Sequence, residues 1–89
     1  MMINDKFVQI HGPFSKNEEL INIIKKDYPD FKFIQKIGIQ SISTNICCIN
    51  GQNFEIGKTG ILELNEVSIT SLYFKQDELA TTLVDCLLG

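Results

Sequence analysis

Tryptophan is absent from this chain, histidine occurs once and proline twice. No apolar run approaches the roughly 20 residues that a membrane-spanning helix requires. Each shortage excludes something. The lone His11 stands beside Gly12-Pro13 with no serine or cysteine nucleophile placed near it by a recognisable motif, so it reads as a strand-end side chain and not as a general base. Eight basic residues against eleven acidic ones leave a formal charge of −3 and an isoelectric point near 4.9. General attraction to nucleic acid or to an anionic membrane is therefore missing.

Cysteine is sparse as well: Cys47, Cys48 and Cys86 are an odd number with one adjacent pair, a poor framework for a secreted disulfide scaffold. Reduced thiols are expected. Neighbouring strand residues point to opposite faces, so one of Cys47 and Cys48 should enter the core and the other face outward. No metal site and no cofactor are expected. The opening Met1-Met2-Ile3-Asn4-Asp5 lacks the charged-then-apolar design of a secretory leader, and the chain is expected to stay in the cytoplasm where it is made.

What is present is enough to fold. Of the 89 residues, 44% are apolar and 21% charged, the balance of one globular domain spanning residues 1–89. The stretch KFVQI (6–10) predicts a short strand closed by Gly12 and Pro13. Ser15 followed by Glu18 predicts a capping box and a helix start; Leu20, Ile21, Ile23, Ile24 and Tyr28 then recur at helical spacing until Pro29. From Phe31 the period becomes two, with Phe31, Phe33, Gln35, Ile37 and Ile39 on one face, and Lys32, Ile34, Lys36 and Gln40 on the other. Residues 42–49 and 52–56 flank Asn50-Gly51, a strong hairpin signal because both positions tolerate positive φ. Gly57 and Gly60 bracket a further turn, and Asn65-Glu66 is expected to separate ILEL (61–64) from VSITSLYF (67–74). The tail from Asp77 fits a helix through Leu79, Leu83 and Leu87 or a strand through Thr82, Val84, Cys86 and Leu88. The β-branched Thr81, Thr82 and Val84 favour a strand over 81–88. The expected fold is α+β, one amphipathic helix on a mainly antiparallel sheet of five to seven short strands.

The Gly57-Lys58-Thr59-Gly60 turn invites two phosphate readings. A P-loop needs four residues between its first glycine and Gly-Lys-Thr, whereas five separate Gly51 from Gly57, and a strand instead of a helix follows. A KH-type Gly-x-x-Gly clamp lies between helices, and here both neighbours read as strands. Glycines that satisfy a tight strand-to-strand turn explain the motif better. Carboxylates Asp27, Asp30, Glu55, Glu63 and Glu66 are scattered over faces and turns. No catalytic residue is identified, and no enzyme is expected.

The segments FIQKIGIQ (33–40), ING (49–51), EIGKTGILEL (55–64) and VSITSLYF (67–74), in that order and spacing, resemble a pattern of small proteins and domains of bacteriophages and prophages of Gram-positive bacteria. The resemblance covers roughly residues 33–74. It departs from the pattern between Gln40 and Asn50, where SISTNICC stands in place of a proline-glycine turn. It implies a non-enzymatic virion, tail or assembly protein that works by protein–protein contacts with other virion or assembly proteins or with its own copies, resident in the cytoplasm during synthesis and then in the virion. Lys36, Lys58, Thr59, Tyr73 and Phe74 are the contact candidates. Two alternatives stay open: a small nucleic-acid-binding module using the Gly57–Gly60 turn, against which the acidic balance argues, and a cytoplasmic regulator that binds one protein partner.

Overall fold

The computed structural model describes residues 6–57 and 60–89. Alternation of apolar residues in KFVQIH forms strand β1 (Lys6–His11), with Val8 and Ile10 packed toward the core and Phe7, Gln9 and His11 exposed. Among the described residues one helix follows, α1 (Leu20–Asp27), and then six strands: β2 (Ile34–Ser41), β3 (Asn45–Ile49), β4 (Gln52–Ile56), β5 (Gly60–Ile69), β6 (Leu72–Phe74) and β7 (Leu83–Leu88).

The strands do not form one sheet. They divide into a four-stranded sheet of order β1-β7-β2-β5 and a three-stranded sheet of order β4-β3-β6, and every pairing between these strands is antiparallel. Period-two patterning marks a strand and its buried face, but leaves the choice of neighbour to contacts distant in sequence. One apolar core joins both sheets and the helix, through residues such as Leu20 and Ile24 of α1, Ile39 and Val84 of the larger sheet, and Cys47 and Phe74 of the smaller.

The helix begins later than the capping box predicts. Glu18 does accept the Ser15 amide, at 3.0 Å. But Asn17 takes a left-handed φ of 63°, which interrupts helical winding, and its amide bonds the Phe74 carbonyl at 2.8 Å. The motif closes a turn ahead of the helix, and Glu19 becomes the N-cap, its side chain accepting from the Ile21 amide. The same carboxylate accepts from Ser71 Oγ at 2.7 Å and from the Leu72 amide at 2.6 Å, fastening the start of α1 to the start of β6. At eight residues α1 is too short to persist alone. Burial of Leu20, Ile21 and Ile24 stabilises it, at roughly 2 kcal/mol for each side chain.

In β2 the expected faces fail at one position. Ile34, assigned by strict alternation to the polar face with Lys36, is fully buried beside Ile37 and Ile39. The register shifts between Ile34 and Lys36 against both neighbouring strands, so that Ile34 pairs with Leu88 while Lys36 pairs with Leu87. The extra residue reverses the alternation and returns Ile34 to the core. The Asn50-Gly51 hairpin forms as predicted, with φ of 51° and 81°, and joins β3 to β4. Asn65-Glu66, by contrast, does not end the strand: β5 runs through it to Ile69, with the break at Thr70-Ser71, although its pairing with β2 slips there, from Lys36 opposite Asn65 to Ile34 opposite Ile69. The tail is a strand, β7, placed between β1 and β2 in the larger sheet.

Candidate functional site

The structure separates the residues expected to make contacts. Lys36 is exposed on the outer face of the four-stranded sheet, opposite Leu87 of β7 and Asn65 of β5. Tyr73 lies on the outer face of the three-stranded sheet, half-buried, opposite Cys48 and 5.9 Å beneath the Lys75 ammonium. Lys58 and Thr59 fall outside the described residues. Phe74 does not reach the surface. It is 0% exposed and stacks on Phe14 with ring centroids 5.8 Å apart, because alternation in β6 sends Leu72 and Phe74 inward and Tyr73 outward. No single patch therefore gathers Lys36, Tyr73 and Phe74.

All three thiols are free and buried. Cys47 faces the shared core and Cys48 the opposite side of β3, yet both are buried. Removal from water pushes the Cys47 thiol up to about 12, with the neighbouring Cys48 and the Glu78 carboxylate adding to the effect. Burial pushes Cys86 to about 12 also, with Asp85 contributing. Neither thiolate forms near neutral pH. A hydrogen bond with Cys48 is the main cause that raises the Tyr73 phenol above its usual range.

The most distinctive polar cluster surrounds a residue that sequence reading passed over. Glu78 is 2% exposed, and among the described residues no basic side chain partners it. Its Oε1 accepts from Ser41 Oγ at 2.8 Å and from Thr82 Oγ1 at 2.6 Å, and its Oε2 accepts from the Asn45 amide nitrogen. The Asn45 amide also donates to the Gln76 carbonyl at 3.1 Å, and the Ser41 hydroxyl accepts the Ser43 amide at 3.2 Å. Ser41 ends β2 and Asn45 begins β3, so one carboxylate holds the point where the chain passes from one sheet to the other. The backbone of Glu78 meanwhile forms an antiparallel bridge with Phe14. Its four-residue spacing to Thr82 was the only local signal. Such a satisfied and enclosed carboxylate is a strut, closed to substrate.

An open cleft of about 510 Å³ at the end of α1 is lined by Tyr28, Phe31 and Leu88 together with Asp27, Asp30 and Lys32, whose exposed charges leave it unsealed from solvent. Phe7, Ile42 and Leu79 are, among the described residues, the large apolar side chains left exposed, Phe7 at 70%. Among the described residues, no group of three or more His, Cys, Asp or Glu side chains could hold a metal ion, and no helix is long and apolar enough to cross a membrane.

Compared with protein-family models, curated proteins and solved structures, the chain matches none.

Proposed function

We propose that this chain is a non-enzymatic assembly protein of phage or prophage type, a single α+β module that works through protein–protein contacts. The observation that carries the reading is the asymmetry of the four-stranded sheet. One face covers the core, while the other presents Phe7, Gln9, Lys36, Gln40, Glu63 and Asn65 to solvent, and the backbone edges of β1 and β5 lie outside any strand pairing among the described residues. The polar groups that could have served chemistry are turned inward: Glu78 is saturated by neutral donors and the Cys47 and Cys86 thiols are held protonated. Open edges and an open mixed-polarity face are what a small module offers to neighbours in a larger assembly. In this reading Lys36 and Tyr73 serve different neighbours, since they lie on different sheets, and Lys58 and Thr59 are further contact residues.

The test is quantitative mass spectrometry of particles purified after prophage induction, with this chain measured against the most abundant particle proteins. A fixed stoichiometric ratio is expected. Recovery of the chain only in the particle-free lysate would overturn the assignment to an assembly.

A further inference from the structure

Four strands lie at sheet edges: β1 and β5 in the larger sheet, β4 and β6 in the smaller. Natural sheets protect such edges with charge, brevity or distortion. β5 carries Glu63 and β4 carries Glu55, each exposed, and β6 has only three residues. From Phe7 to His11, β1 has none of these protections. It carries no carboxylate, lysine or arginine and no proline, and its register with β7 is continuous.

The phase of its hydrogen bonding follows from one contact. The Gly12 amide donates to the Thr82 carbonyl at 2.9 Å, and Gly12 opposite Thr82 continues the register in which Ile10 faces Val84 and Val8 faces Cys86. Hydrogen-bonded pairs alternate along an antiparallel ladder, so Val8 and Ile10 turn their peptide groups toward β7. Phe7, Gln9 and His11 turn theirs off the edge of the sheet.

We propose that β1 is the self-association edge of this protein: two copies pair their β1 strands antiparallel about a two-fold axis at Gln9, merging two four-stranded sheets into one. The inference rests on the reading of the chain as a contact module and names its partner as a second copy. The symmetry is satisfied by this strand without adjustment. An axis at Gln9 sets Phe7 opposite the second copy's His11 and Gln9 opposite its counterpart, so the outward peptide groups fall into hydrogen-bonded pairs. The alternate pairs place Val8 against the second copy's Ile10. Both are half-buried apolar side chains on the core-facing side, and the pairing extends the core across the axis. On the outer face the exposed Phe7 ring gains an aromatic neighbour, and no like charges are brought together.

Light scattering coupled to size exclusion, at roughly 100 µM protein, is expected to give twice the chain mass of 10.1 kDa. Gln9→Lys sets two ammonium groups against each other across the axis, while within one chain the new lysine faces Asp85, which now accepts from Gln9 Nε2 at 2.7 Å. It should weaken the dimer roughly tenfold without lowering the melting temperature. Gln9→Pro removes an amide that points off the edge, so the ladder to β7 should survive and the dimer should not. If the proline variant fails to fold, Gln9→Lys decides alone. Pyrene attached at Gln9→Cys should show excimer emission, because the axis brings the two labels together. A single-chain mass for the unaltered protein, or a dimer indifferent to both substitutions, would overturn the proposal. Either result leaves incorporation into particles to be judged by its own measurement, and a dimer absent from particles would sink the assembly reading alone.

Discussion

Ser41 donates its hydroxyl to Glu78 at 2.8 Å across 37 residues of sequence, and the same carboxylate oxygen accepts from Thr82 at 2.6 Å. The strength of this arrangement lies in its completeness, since every buried side-chain donor and acceptor among the described residues has a partner. Removing the acceptor takes a partner from three donors at once, leaving Thr82 Oγ1 without one while Asn45 and Ser41 keep the Gln76 and Ser43 carbonyls. Glu78→Ala is expected to cost about 3–5 kcal/mol in urea unfolding, whereas Thr82→Val, which removes one donor and keeps the shape, should cost about 1 kcal/mol. Equal losses for the two variants would refute the role given to the carboxylate.

Asn50 acts twice, as a turn residue and as a tether. Its side-chain oxygen accepts the Thr70 and Ser71 amides at 2.9 and 3.2 Å, and its nitrogen donates to the Ser68 carbonyl at 2.9 Å. Asn50→Gly keeps the left-handed conformation and loses only the tether; Asn50→Ala loses both. Calorimetry should rank the two, with glycine about 1 kcal/mol less stable than the native chain and alanine lower by roughly a further 1 kcal/mol.

Two glycines make a matched pair for the third prediction. A methyl group at Gly12 would lie 2.1 Å from the Leu79 carbonyl oxygen, a backbone atom that can move only with its segment. One at Gly38 would meet open space. Gly12→Ala should therefore destabilise by about 3 kcal/mol or more and Gly38→Ala by about 0.5 kcal/mol or less. A thermal melt of each resolves the difference.

Alkaline pH should unfold this protein through its core. Burial raises Cys47 and Cys86 to about 12 from the ordinary thiol value of 9.0, so an unfolded chain releases these protons where the folded one retains them. Stability is thus fully present below pH 9 and is lost as pH rises toward 12, at about 1.4 kcal/mol per pH unit for each thiol. Urea midpoints measured between pH 8 and roughly 11 should fall steadily, and Cys86→Ala should show a shallower fall. A variant with undiminished slope would assign the loss to other groups. Aromatic disulfide reagents should likewise label the thiols slowly in the native state and at once in denaturant.

Features carried by a few adjacent residues were legible in the sequence. Asn50-Gly51 specifies positive φ at both hairpin positions, Leu20-Ile21-Ile24 mark the buried side of a helix, and Thr81, Thr82 and Val84 favour extended backbone for the tail. The same residues could not reveal that Glu78 is enclosed, because Ser41 and Asn45, which enclose it, are distant in sequence and unremarkable where they stand. Nor could β1 be recognised as an edge, since that depends on β7 occupying the place between β1 and β2. Tyr73 and Phe74 alternate in either case, and only the core against β6 decides which of them points inward.

The sequence alone determined the Asn50-Gly51 turn, most of the stretches that extend, and that one helix is amphipathic, because dihedral preference and side-chain alternation are local properties, whereas the turn expected at Asn65-Glu66 is strand. The tertiary structure decided the division into two sheets, the bulge that returns Ile34 to the core, the delayed helix start behind Asn17, and the exposed peptide groups of Phe7, Gln9 and His11. Each of these depends on which apolar faces close on one another and which backbone groups find partners across tens of residues, and the free energy of that choice resides in the assembled core.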